Sequence, residues 1–153
     1  TVVNTVSCTY AIGRIEPGFF EKGRNGRFFR IPVYSNTKLA LLLFTQELAE
    51  RLQNQGITIN ASDPGIVSTN MITMQAWFDP LTDILFRPFI KTPAQGAATA
   101  IHLALSDEAK DRNGCCYANC KKKNMSERIR HHAQQKQLWD DTEILLRQKG
   151  IRF

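Results

Sequence analysis

The chain has 153 residues, 42% hydrophobic and 22% charged, which is the balance of a globular domain and excludes a disordered or collagen-like chain. Lysine and arginine number 20 against 14 acidic residues, a formal charge of +6, and no run of about 18 uncharged apolar residues occurs, so no membrane-spanning helix is expected. The basic excess gathers in Lys121-Lys122-Lys123 and the arginines of the tail. It reads first as a solvated face, then as attraction for an anionic cofactor or an anionic membrane surface. No zinc-finger, helix-turn-helix or RNA-recognition pattern points to nucleic acid.

Val2-Val3 to Val6 form a short β-branched run that predicts a strand at the very start. A strand in that place, with no leading loop and no methionine before it, suggests a fragment whose N-terminal part is missing. Residues 13–32 are rich in Gly, Arg and Phe, with Pro17-Gly18 and Asn25-Gly26 as turn signals, and predict a long loop. Leu39, Leu42, Leu43, Leu48 and Leu52 recur at helical spacing, so a helix is expected over 34–54, with Glu47, Glu50 and Arg51 on its polar face and Gly56 just past its end. A strand over 57–61 follows and Asp63-Pro64-Gly65 breaks it. Residues 68–91 are apolar and interrupted by Pro80 and Pro88, which suggests one or two short helices. Thr92 and Pro93 are the N-cap and first residue of an alanine-rich helix to Ser106. Asn113-Gly114 predicts a turn, residues 115–120 a third strand, and 126–147 one amphipathic helix with Ile129, Ala133, Leu138, Ile144 and Leu145 inward. Strands alternating with helices predict an α/β fold with a parallel sheet covered on both faces.

The four cysteines are Cys8, Cys115, Cys116 and Cys120. Adjacent Cys115 and Cys116 followed by Cys120 do not match the paired spacing of a zinc site, so no metal is expected. Two neighbours in a strand point to opposite faces, and buried free thiols in a reducing compartment are the expected state.

Tyr34-Ser35-Asn36-Thr37-Lys38 places a phenol and an ammonium four residues apart at the head of the longest helix. Residues i and i+4 share a helix face, and a neighbouring cation favours the phenolate over the phenol. Such a pair makes an acid/base group usable near neutral pH. By itself the spacing also fits a chance pair on a solvated face. Ser7 at the end of the first strand, Tyr34 and Lys38 opening the next helix, and Pro64-Gly65 ending the second strand all fall at the carboxyl edge of a parallel sheet. Open α/β sheets bind ligands there.

The order and spacing of Val3-Asn4-Thr5-Val6-Ser7, Tyr34-Ser35-Asn36-Thr37-Lys38-Leu39-Ala40, Leu43-Phe44-Thr45-Gln46-Glu47-Leu48-Ala49, Asp63-Pro64-Gly65-Ile66-Val67-Ser68-Thr69 and Ile90-Lys91-Thr92-Pro93-Ala94-Gln95-Gly96-Ala97 resemble the short-chain dehydrogenase/reductase family, most of all its retinol dehydrogenase-like members. The resemblance covers nearly the whole chain. It implies the C-terminal half of a doubly wound Rossmann-type parallel sheet, three strands with flanking helices, as one partial domain over 1–153 with a substrate-binding flap over 70–91. It implies an oxidoreductase that moves a hydride between NADP or NAD, NADP favoured, and a hydrophobic alcohol, aldehyde or ketone. Tyr34 matches the family's general acid/base and, with Lys38, part of its cofactor-binding set; Lys38 matches the lysine that assists the tyrosine and meets the nicotinamide ribose, and Ser7 the serine that orients the substrate oxygen. Pro64, Gly65, Ile66 and Val67 match the turn that holds the nicotinamide carboxamide, and Thr69 the hydroxyl that meets the cofactor phosphate.

The glycine-rich phosphate loop, the asparagine upstream of the serine and the residue that selects NAD or NADP have no counterpart in these 153 residues. Val6-Ser7 stands where the family usually has Ser-Ser, and Asp63 where a histidine often precedes Pro-Gly. A different reading is a non-catalytic remnant that pairs its open strand edge with a partner. A third is a module that touches a membrane surface through residues 71–89 and the basic tail. The family also implies a homo-oligomer and a cytoplasmic location, with membrane association of the complete protein as the alternative.

Overall fold

A computed structural model describes residues 1–22, 29–67 and 90–151. The elements are β1 (Val2–Thr5), α1 (Phe19–Lys22), α2 (Arg30–Arg51), β2 (Ile59–Asp63), α3 (Pro93–Leu105), β3 (Cys116–Ala118), β4 (Lys121–Lys122), α4 (Glu127–Arg130) and α5 (Gln135–Gln148). The sheet runs β1-β2-β3-β4. β1 lies parallel to β2 with Val2 opposite Ile59 and Thr5 opposite Ser62, and β2 lies parallel to β3 with Ala61 opposite Cys116. This is the expected α/β arrangement, part of a Rossmann-type sheet with helices on both faces.

The sheet has a fourth strand that the sequence reading lacked. The chain reverses at Asn119 and Cys120, both at positive φ (52° and 58°), and β4 returns antiparallel with Lys122 opposite Tyr117. Two consecutive left-handed residues are the signature of the tight hairpin turn whose twist matches its strands. Asparagine tolerates that conformation and cysteine does so at a cost, which is why 115–120 looks like one strand. β2 also sits two residues later than expected: it leaves out Ile57 and Thr58 and takes in the buried polar residues Ser62 and Asp63. Asn60 Oδ1 accepts from the Cys115 amide at 2.9 Å and its Nδ2 donates to the Arg112 carbonyl at 2.8 Å, so this buried polar side chain knits the 112–115 loop to the central strand.

α2 covers one face. Leu39, Leu42 and Leu43 are fully buried with Val6, Ala61, Cys116, Ile129 and Leu138. Each leucine contributes roughly 1.5–3 kcal/mol by leaving water. Leu103 of α3, Ala109, Cys115 and Tyr117 form the core on the other face. Cys115 and Cys116 thus point to opposite faces. The expectation of buried free thiols fails for Cys8, which is exposed, and Cys120 is half-buried; all four cysteines are free. α3 has the expected start: Thr92 Oγ1 accepts from the Gln95 amide at 3.2 Å while Gln95 Oε1 accepts from the Thr92 amide at 2.9 Å. No helix among the described residues is long and apolar enough to cross a membrane.

Two helical boundaries differ from expectation. α2 begins at Arg30, so the end of the expected loop is helix, and Pro32 occupies its first turn, where a missing N–H costs nothing. A 3-10 turn over Cys8–Ile12 precedes the expected loop and α1 lies within it, while 23–28 fall outside the described residues. The last helix is two pieces. Arg128 donates from Nη2 to the Ala11 carbonyl at 2.7 Å and from Nη1 to the Gly13 carbonyl at 3.3 Å, which holds α4 against the 8–13 segment, and α5 restarts at Gln135. α5 then packs along α2, with the Trp139 and Phe44 rings stacked at 5.1 Å. That packing buries Glu47, expected on the polar face, between Arg51 Nε at 2.8 Å and Gln135 Nε2 at 3.1 Å. It also leaves Ala133 and Ile144, expected inward, exposed.

Candidate functional site

The carboxyl ends of β1 and β2 and the first turns of α2 meet at one edge of the sheet. Lys38 donates from Nζ to the carbonyl of Thr5, the last residue of β1, at 3.0 Å. The same ammonium stands 5.6 Å from the centroid of the Tyr34 ring. One lysine therefore touches both the strand that leads to Ser7 and the aromatic ring one helical turn before it. An ammonium has three donors, so the bond to Thr5 leaves two for other oxygens. Tyr34 is 37% exposed and the ring is open to a ligand.

Ser7 follows directly on β1. The Val6 amide still donates to the Ser62 carbonyl at 2.9 Å, so the β1–β2 ladder reaches the residue before it. With Thr5 opposite Ser62, the register extended by two sets Ser7 level with Pro64. The Ser7 Oγ caps the 3-10 turn and accepts from the Thr9 amide at 3.4 Å and from Thr9 Oγ1 at 3.2 Å. Both bonds use its lone pairs and leave its own proton to be donated.

The segment after Ser7 is pressed onto α2. A Cβ on Gly13 would stand 2.5 Å from the Ser35 carbonyl oxygen and 2.8 Å from Leu39 Cβ, so only glycine fits. The Arg14 amide donates to Asn36 Oδ1 at 2.8 Å. Gly13, Asn36 and Arg128 are supports that sequence reasoning missed. Asn36 alone carried a signal, through its place between Tyr34 and Lys38.

Pro64, Gly65, Ile66 and Val67 form the turn that leaves β2. Gly65 has φ +77°, a conformation that favours glycine. Asp63, buried beneath the turn, holds it from one side: Oδ1 accepts from the Gly65 amide at 3.0 Å and Oδ2 from Lys123 Nζ at 3.0 Å. Lys91 holds it from the other side, donating from Nζ to the Pro64 carbonyl at 2.9 Å and to Asn119 Oδ1 at 2.6 Å. The Lys91 amide donates to the Ile66 carbonyl at 2.8 Å, and Val67 pairs with Lys91 in a parallel bridge. Val67 also fills the space beside Gly96, where a Cβ would meet its Cγ2 at 2.5 Å. Thr69 and residues 70–89 of the expected flap lie outside the described residues.

Beneath the turn Lys123 also stands 5.0 Å from the Tyr10 ring centroid. Burial works against the charge of Lys123, but the hydrogen bond and charge of Asp63 outweigh it and hold its pKa above the ordinary lysine value. Burial, reinforced by Cys116, raises the Tyr10 phenol. Burial pushes the Cys116 thiol up to about 11, with Lys123 partly offsetting it. Among the described residues no group of three His, Cys, Asp or Glu side chains could hold a metal ion.

Known proteins share the sequence of this edge of the sheet. The family model described as short chain dehydrogenase matches residues 22–77, which include Tyr34, Lys38 and the Pro64–Val67 turn. Retinol dehydrogenase 12 of Mus musculus is 37% identical over 139 residues, 91% of this chain and 43% of that protein. Its human counterpart aligns over 99% of this chain and 46% of its own length, so the chain spans a little under half the length of the curated relatives it matches. A crystal structure of an uncharacterized protein from Mycobacterium Paratuberculosis superposes with a TM-score of 0.66 at 23% identity, over 95% of this chain and 50% of that one, and shows the fold. A blue fluorescent protein from a metagenomic library, solved in complex with NADPH, superposes with a TM-score of 0.53 at 27% identity over 76% of this chain and 42% of that one. The chain is thus similar to short-chain dehydrogenases, and over nearly its whole length to retinol dehydrogenases.

Proposed function

We propose that the complete protein is an NAD(P)-dependent oxidoreductase that interconverts a hydrophobic alcohol and its aldehyde or ketone. The observation that carries this reading is the position of Lys38 Nζ, 5.6 Å from the Tyr34 ring centroid and 3.0 Å from the Thr5 carbonyl. It joins the acid/base candidate to the strand end that bears Ser7. Relatives named retinol dehydrogenases and a structural neighbour solved with NADPH support the substrate class and the nucleotide, with NADP the favoured form.

The donor set suits the nicotinamide end of such a nucleotide. Lys38 keeps two N–H donors for ribose hydroxyls. The Pro64–Val67 turn offers backbone groups beside Gly65, whose missing side chain lets a flat ring approach, and Thr69 follows to meet a phosphate. When bound, the nicotinamide supplies or accepts the hydride. The chain does the rest. Ser7 donates its free proton to the substrate oxygen and fixes its direction. Tyr34 gives a proton to that oxygen during reduction and takes one during oxidation. The ammonium of Lys38 faces the charge that the ring carries once its proton has left. The apolar residues of the 70–91 stretch, Trp77, Phe78, Phe86 and Phe89 among them, suit by their chemistry a hydrophobic carbonyl compound.

Replacing Tyr34 by Phe in the full-length protein tests the assignment. Loss of the proton donor is expected to lower turnover by roughly 10²–10⁴-fold with little change in melting temperature. Undiminished turnover would refute the role of Tyr34.

A further inference from the structure

Lys91 has no place in the proton chemistry above, yet it is the side chain most directly built into the Pro64–Val67 turn. Its Nζ reaches the Pro64 carbonyl at 2.9 Å, and a Cβ on Gly65 would lie 3.1 Å from it. Its own backbone is paired with Ile66 and Val67. The far side of the ammonium is held by Asn119 Oδ1 at 2.6 Å, from the β3–β4 hairpin. The two lysines at this turn differ in charge balance. Lys123 faces the carboxylate of Asp63 at 3.0 Å and the pair is neutral. Among the described residues, both partners of the Lys91 ammonium are neutral oxygens, and neither cancels its positive charge.

We propose that Lys91 is a positioning residue that fixes the turn and, by its positive charge, makes the site favour the reduced nucleotide over the oxidised one. This rests on the reading of the turn as the nicotinamide-holding element. The oxidised nicotinamide ring is a cation and the reduced ring is neutral. A fixed ammonium beside the ring therefore repels one form and leaves the other untouched. The strut function acts on both forms alike, so the ratio of their affinities isolates the charge. A preference for the reduced form favours loading for carbonyl reduction.

The test measures dissociation constants of NADP⁺ and NADPH for the full-length protein, together with melting temperature. Lys91→Met keeps the length of the side chain and removes the charge. It is expected to weaken both forms through the loosened turn and to lower the ratio of the oxidised to the reduced constant by roughly three- to tenfold. Lys91→Arg is expected to restore the ratio. Asn119→Asp leaves Lys91 in place and neutralises it from behind; the left-handed position accepts aspartate as it accepts asparagine, and the ratio is expected to fall as well. This second variant decides the matter even where Lys91→Met does not fold. An unchanged ratio in Asn119→Asp, or in a folded Lys91→Met, would overturn the role of Lys91 and leave the oxidoreductase reading standing. A wild-type protein that binds neither nucleotide form would overturn both.

Discussion

Gly13→Ala is a one-carbon change that the geometry makes expensive. The backbone at Gly13 is extended (φ −66°, ψ 157°), a conformation open to any residue, so backbone strain plays no part. On that ground alone, alanine would stabilise by about 0.4–1 kcal/mol through a less flexible unfolded chain. Against this, the new methyl would stand 2.5 Å from the Ser35 carbonyl oxygen, 3.0 Å from its carbonyl carbon and 2.8 Å from Leu39 Cβ. Two of these atoms are helix backbone and the third is a fully buried core atom, so none can swing aside. Overpacking of this kind costs about 1–3 kcal/mol and can exceed it. The net expectation is a loss of roughly 1–2 kcal/mol. Because Ser35 lies between Tyr34 and Lys38, the displaced segment also shifts the site, and activity should fall beyond the fraction unfolded. Urea melts of wild type and variant measure the first effect, with Gly56→Ala as a control. Gly56 has φ +69° and nothing within 4 Å, so its cost is conformational alone. A Gly13→Ala protein as stable as wild type, or more so, would refute the account of how the 8–14 segment is seated.

The Cys116 thiol gives a pH prediction. Its pKa is raised from 9.0 to about 11 on folding, so the folded state holds that proton more tightly. The contribution is complete below pH ~9 and is lost as pH climbs to ~11, about 2–3 kcal/mol in all. Tyr10 and Lys123, also raised, lose stability in the same direction. Chemical denaturation across that range should show the slope, and Cys116→Ala should flatten it; an equal slope in the variant would contradict the assignment. Lys123→Met strands the buried carboxylate of Asp63, 2% exposed, without its counter-ion. Breaking a buried pair from one side costs about 3–5 kcal/mol, and the partial exposure of Lys123 puts the expected loss in the melt toward or below the lower figure. Asp63→Asn with Lys123→Met should recover part of it, and a double variant no better than the single would count against the pair.

The helical spacing of the leucines, the Thr92-Pro93 helix start and the strand–helix alternation made most of the fold legible, because these signals are local. What stayed hidden depends on contacts far along the chain. The β3–β4 hairpin turns on two left-handed residues, one of them a cysteine with no turn propensity. α4 is a separate piece from α5 and is anchored through Arg128 more than a hundred residues away, at Ala11 and Gly13. Glu47 reads as a solvent residue until α5 packs over it. At the site, Tyr34 and Lys38 could be paired from spacing alone, since one helix carries both. The clamps on the Pro64–Gly65 turn could not, since Asp63, Lys91 and the Asn119–Lys123 hairpin come from three separate segments.

The central claim is that Tyr34, beside Lys38, completes a hydride transfer to a carbonyl carbon. The most direct measurement supplies the full-length protein with NADPH deuterated at the transferred position and an apolar aldehyde, and reads the alcohol by mass spectrometry. The account predicts one deuterium on the carbinol carbon with the wild-type protein, and a rate of incorporation lower by at least about 10²-fold in Tyr34→Phe. Equal incorporation by both proteins, or none by the wild type across a series of apolar aldehydes and ketones, would contradict it.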